Sequence, residues 1–86
     1  MSGADNQDGS PRDLLDFMVR ELVDDPDSVS IEEFDEGDRI EYQVTTAPND
    51  VGRVIGRRGH VIQSIRTLVR AAASRDGLDA DVEIID

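Results

Sequence analysis

Apolar residues recur at helical spacing in two stretches of the chain and alternate with polar residues in three others. Leu14, Leu15, Met18 and Leu22, with Val19 and Val23 one turn apart, follow the period of a helix. The residues just before them form a helix start. Ser10 can accept a backbone N–H as a cap, Pro11 suits the first helical position, and Asp13 complements the positive helix end. Pro26 stops the helix, because the residue before a proline is pushed out of helical geometry. Ser28–Phe34 alternates around Val29 and Ile31, and Arg39–Thr46 alternates around Ile40, Tyr42 and Val44, so both are predicted strands. Asp35-Glu36-Gly37-Asp38 joins them as a hairpin in which Gly37 can take a positive φ. Ala47-Pro48-Asn49-Asp50 is a loop that ends in helix-capping residues. Val51–Ile55 begins a short helix that Gly56–Gly59 interrupts. A longer helix runs from His60 to Ser74, with Val61, Ile62, Ile65, Leu68, Val69 and Ala72 as its apolar face, and Gly77 is its stop. Val82 and Ile84 mark a last strand over Ala80–Ile85. This order predicts an α+β fold, a three-stranded mixed sheet covered on one face by helices.

With 86 residues, one domain is expected, over residues 11–86. Residues 1–10 are polar, acidic and rich in Gly, Asp and Ser, and are expected to form a disordered tail. They do not resemble a signal peptide, and no apolar run approaches the roughly 20 residues that span a bilayer. A cytoplasmic location away from membranes is the expectation. The chain has no cysteine and a single histidine, His60, so neither a disulfide framework nor a thiolate or His-rich metal site can be built. No cofactor or metal is expected.

Charge changes the picture more than composition does. The formal net charge is −11, yet residues 51–75 carry six arginines (53, 57, 58, 66, 70 and 75) and no acid. The surplus of acid lies on either side of that stretch. Fields from exposed charges fade beyond about 8 Å at physiological salt, so the local arginines govern what a nearby phosphate feels. Arginine also offers phosphate a planar two-pronged contact.

The segment Val54-Ile55-Gly56-Arg57-Arg58-Gly59-His60-Val61-Ile62 lies within that stretch. Its glycines allow a tight turn and close backbone approach. The turn ends where a helix begins, so free N–H groups and the positive helix end meet two arginines, which suits an anion. Apolar residues on both flanks hold the loop in place. A clamp of this kind fits the sugar–phosphate backbone of single-stranded RNA.

The I-G-x-x-G pattern with apolar flanks, set between two helices and after a hairpin, resembles the signature of KH domains in their type II order. The chain is similar to the KhpA family of small bacterial RNA-binding proteins over about residues 13–86. The resemblance implies that Gly56, Arg57, Arg58 and Gly59 grip the RNA backbone and that Ile55 seats the loop. It further implies that Val54, Val61 and Ile62 either line the nucleotide groove or belong to the core. Arg53 and His60 join the candidate RNA-binding residues. Two positions depart from the family pattern. Both variable loop positions are Arg where lysine is usual, and His60 stands where a basic residue often follows the second glycine. The resemblance also implies a homodimer and a heterodimer with a larger KhpB/Jag-like protein.

Two functions follow from these residues. One is an RNA chaperone or post-transcriptional regulator that binds single-stranded RNA. The other is a dimerisation or partner-docking module in which RNA binding is secondary. Catalysis is not expected, since no nucleophile–base pair and no phosphate-binding P-loop motif occur. The pairs Asp24-Asp25 and Glu32-Glu33 lack a calcium-loop pattern and are assigned to solvated surface. Arg66 and Arg70 are four apart and fit the solvated face of one helix. Of the aromatics Phe17, Phe34 and Tyr42, at least two are expected in the core, leaving little base stacking.

Overall fold

The computed structural model describes residues 10–86. The tail expected over residues 1–10 therefore lies, apart from Ser10, outside the described residues. Helix α1 spans Pro11–Leu22 and starts as its sequence dictates, with Asp13 N–H directed at the Ser10 hydroxyl. A 3-10 turn at Pro26–Ser28 leads to strand β1, Ser30–Asp35, slightly later than the alternation suggested, because Pro26 begins the turn that consumes Ser28. Gly37 turns the hairpin at φ +98°, and its N–H donates to the Asp35 carboxylate. Strand β2 is Arg39–Thr45, α2 is Val51–Ile55, α3 is His60–Ser74 and β3 is Asp79–Ile85.

Strand β2 is central, antiparallel to β1 and parallel to β3. Its side chains alternate strictly. Ile40, Tyr42 and Val44 point into the core while Arg39 and Thr45 remain exposed. Leu15 and Val19 of α1, Val54 of α2, and Ile65, Val69 and Ala73 of α3 complete the core with Ala80 and Val82 of β3. Helix α3 packs on both α1 and β3. Gly77, at φ +76°, ends the α3 turn, and Leu78 N–H donates back to Ala73 O.

Both edges of the sheet are covered by arginine. Arg12 of α1 donates to Ile31 O on β1 and lies 3.5 Å from Glu33. Arg66 and Arg70 of α3 donate through Nε to Val82 O and Ala80 O on β3. These contacts occupy carbonyls that would otherwise offer an open strand edge to another chain.

Three expectations need correction. Among the aromatics only Tyr42 is buried. Phe17 is 63% exposed and Phe34 44% exposed. Phe34 shares the open sheet face with Glu32, on the side opposite Ile31, and Phe17 falls off the Leu15–Val19 line of α1. Leu68, assigned to the core face of α3, is half exposed, because the apolar arc of that helix is wider than the surface α1 and the sheet cover. Asp50, expected as a cap of α2, makes no side-chain cap. It is buried instead, and its two carboxylate oxygens accept the N–H groups of Asp24 and Asp25.

Candidate nucleic-acid interface

The loop between α2 and α3 is Gly56 followed by a single 3-10 turn, Arg57–Gly59, and positive φ at Gly56, Arg58 and Gly59 explains its sequence. Gly56 adopts φ +77° and ψ 173°. A Cβ there would collide with the Val61 side chain and sit 2.8 Å from the Val61 backbone nitrogen, so both conformation and space demand glycine. Gly59 adopts a left-handed φ of +75°, but a Cβ would be 3.9 Å from Ile62, an ordinary contact; conformation alone selects glycine there. Between them Arg58 is also left-handed, with φ +58° and ψ +22°, the one described non-glycine residue with positive φ. A side chain in that region costs about 1–2 kcal/mol. Such strain persists only where the surroundings enforce it, and it concentrates at functional sites.

The turn is tied at both ends. Gly56 N–H donates to Gly52 O at 2.8 Å, closing α2, and Gly59 N–H donates to Gly56 O at 3.1 Å. Val54 is fully enclosed, Ile62 is 6% exposed, and Val61 is partly buried against the core. Val54 and Ile62 are therefore packing residues beneath the loop and present little or no surface to a ligand. Ile55, expected to seat the loop, is 36% exposed, while Val54 beside it is fully enclosed. Arg57, Arg58 and His60 are exposed, and Gly56 and Gly59 partly so. Helix α3 starts at His60 without a side-chain cap, so its positive end opens beside the two loop arginines.

The other arginines of the basic stretch are engaged. Arg53 bonds Asp24 at 2.9 Å and lies 3.3 Å from Asp50, so it staples α2 to the segment after α1. Arg66 and Arg70, expected on a solvated face, lie across the seam between α3 and β3. The sequence placed them correctly on one side of α3 but carried no signal of the strand beside them. Asp24 of the acidic pair is the partner of Arg53, and Asp25 accepts the Ser28 hydroxyl at 2.7 Å.

A three-stranded mixed sheet in this element order, with a G-x-x-G turn joining α2 to α3, defines a KH domain of type II. A family model described as the KhpA/KhpB KH domain matches residues 12–84, and the chain belongs to that family. Among curated relatives, a Chlamydia trachomatis protein is 37% identical over 75 residues, covering 87% of this chain and 96% of the relative. One from Caldanaerobacter subterraneus subsp. tengcongensis is 41% identical over 73 residues, covering 85% and 97%. One from Clostridium acetobutylicum is 38% identical over 74 residues, covering 86% and 99%. Each is named RNA-binding protein KhpA. No solved structure matches at the same level of significance. Among the described residues, no helix is long and apolar enough to cross a membrane.

Proposed function

We propose that the chain binds single-stranded RNA through the Gly56–Gly59 loop and acts in the cytoplasm as an RNA chaperone or post-transcriptional regulator, not as an enzyme. The observation that carries this is the left-handed Arg58, held between two glycines at the uncapped start of α3. A mere link between helices has no need of that strain or of two exposed arginines. The names of the relatives support the same ligand. Direct contact falls to Gly56, Arg57, Arg58, Gly59, His60 and the exposed flank of Ile55. The backbone and guanidinium groups take phosphate oxygens, and Val54 and Ile62 hold the loop from beneath. Fluorescence anisotropy with short unstructured RNAs tests this. Arg57→Asp/Arg58→Asp is expected to abolish binding while circular dichroism stays unchanged. Equal affinity in that folded variant would sink the proposal.

A second reading has its own observation. Phe17, Met18 and Leu22 of α1 and Val61, Ile65 and Leu68 of α3 line an apolar cleft of about 280 Å³ in which Phe17 and Leu68 stay at least half exposed. We assign this face to a homodimer, with a heterodimer with a larger KhpB/Jag-like protein as the alternative use of the surface. A family model that groups KhpA with KhpB accords with the latter. Light scattering coupled to size exclusion is expected to give a dimer that Leu68→Asp converts to monomer. A wild-type monomer at high concentration would exclude the homodimer.

A further inference from the structure

Three arginines from two elements converge on one carboxylate of β3. Arg70 Nη2 lies 3.3 Å from Asp81 Oδ1 and Arg66 Nε 3.6 Å from the same oxygen, while Arg39 Nη2 lies 3.6 Å from Oδ2. Oδ1 also accepts the N–H of Val82 at 2.9 Å. These are loose pairs. Elsewhere Arg20 grips both oxygens of Asp16 at 3.0 and 3.1 Å, and Arg53 reaches Asp24 at 2.9 Å. A tight charge-assisted bond measures about 2.7–2.9 Å, and none of the three contacts to Asp81 reaches that. One carboxylate cannot satisfy three forked cations, so donors are left over. Among the described residues the Nη groups of Arg66 find no acceptor, and the Arg70 side chain is 56% exposed. Arg39, Arg70, Ser74, Asp79 and Asp81 line an open hollow of about 370 Å³. Arg39 and Arg70 there face Asp79 and Asp81, and Arg66, outside that lining, reaches Asp81 as the third cation.

The position of this cluster gives it a meaning. Arg66 and Arg70 stand on α3, the helix that starts at the loop. Six and ten residues beyond His60, they lie roughly 9 and 15 Å further along the helix axis. Their Nε atoms are pinned to Val82 O and Ala80 O, so the guanidinium groups are held along the α3–β3 seam. We propose that Asp81 is an internal counter-ion that RNA displaces. This rests on the loop as the first grip. A strand held at Gly56–Gly59 continues along the seam, and its phosphates replace the Asp81 carboxylate as partners of Arg66, Arg70 and Arg39. The exchange swaps one oxyanion for another, and the forked guanidinium fits phosphate at least as well. Asp81 then repels the bound strand. It acts as a negative determinant that holds down binding to any polyanion that does not also engage the loop.

The experiment compares tetra- and octauridylate by anisotropy. Glu83→Gln serves as a control, since it removes the same charge two residues along β3 on a side chain outside the cluster. Asp81→Asn is expected to tighten octamer binding by about three- to tenfold, with little change for the tetramer, which the loop alone accommodates. Glu83→Gln should change the octamer less than about twofold. In an Arg66→Gln/Arg70→Gln background the gain from Asp81→Asn should vanish. Equal effects of Asp81→Asn and Glu83→Gln, or a gain that survives without the two arginines, would overturn the proposal while leaving the loop intact. Failure of the wild-type protein to bind either RNA, or full binding by Arg57→Asp/Arg58→Asp, would instead remove the loop itself and the proposal with it. Should the double arginine variant not fold, the Arg66 and Arg70 Nε–Hε resonances of the wild type report directly. Octamer must shift both and tetramer neither; resonances that stay in place under saturating octamer overturn the assignment.

Discussion

At the scale of single residues, conformation and ligand chemistry can be separated at Arg58. Its left-handed backbone is strained for a side chain but not for glycine. Arg58→Gly is therefore expected to leave stability unchanged or raise it by up to about 1 kcal/mol, after the added entropy of the unfolded chain is counted. It should weaken RNA binding at the same time. Thermal unfolding alongside anisotropy checks both, and a variant that loses stability would show that the arginine serves the fold. Tyr42 gives a second residue-scale test. Burial first, then the charge of Glu33, pushes its hydroxyl up to about 12; the Arg12 charge works the other way and Asp35 adds to the rise. The folded state thus disfavours the phenolate. Its contribution to stability is complete below the unfolded value of about 10 and is lost as pH climbs from there through about 12. As the chain has one tyrosine and no tryptophan, phenolate absorbance reads this group alone. It should titrate near 12 in the folded protein, and Tyr42→Phe should flatten the loss of stability between pH 10 and 12. Titration at about 10 with the fold intact would contradict the burial argument.

At the scale of elements, the loop is as rigid as the pieces that flank it. Helix α2 has only five residues and cannot stand alone. Asp50 holds it in place, receiving two backbone N–H groups from the segment after α1 and the Arg53 guanidinium from α2 itself. Asp50→Ala is expected to cost about 2 kcal/mol, the usual scale for hydrogen bonds to a buried charge, with Asp50→Asn recovering part of it. Urea denaturation measures the loss. RNA affinity should fall as well, because the loop loses its fixed entry. A stable Asp50→Ala protein with full affinity would show that α2 is positioned by Val54 packing alone. The arginines on both sheet edges belong to this scale too. On the β3 side, Arg66 and Arg70 are charges that sequence reasoning assigns to solvent.

At the scale of the molecule, a small basic patch must act within an acidic field. If the loop neutralises two or three phosphates, the logarithmic salt dependence of binding should have a slope of about −1.4 to −2 for a single strand. A dimer that presents two loops to one RNA would steepen it and gain affinity by avidity. Affinity measured between 50 and 300 mM salt tests this. A slope near zero would mean that phosphate contacts carry little of the binding. The net charge of −11 should slow association and keep non-specific binding low.

Local rules along the chain were sufficient for much of this. Helix α3 was legible in place and approximate length, since its apolar spacing and the flanking glycines bracket it. The G-x-x-G turn was legible as a tight turn at a helix start because glycine requirements and helix ends are properties of a few consecutive residues. What the sequence could not show depends on residues far apart in it. Asp50 reads as a cap until the fold brings the end of α1 against it, 25 and 26 positions away. Leu68 reads as core because helical period reports a face, not whether another layer covers that face. Arg66 and Arg70 read as solvated until β3, the last strand, lies beside α3 and offers them its edge carbonyls and Asp81. The sequence by itself determined the elements, their order and the glycine turn between α2 and α3, since these rest on local backbone preference. Only the tertiary structure decided which apolar side chains are buried and which charges are paired, since burial and ion pairing are set by neighbours distant along the chain.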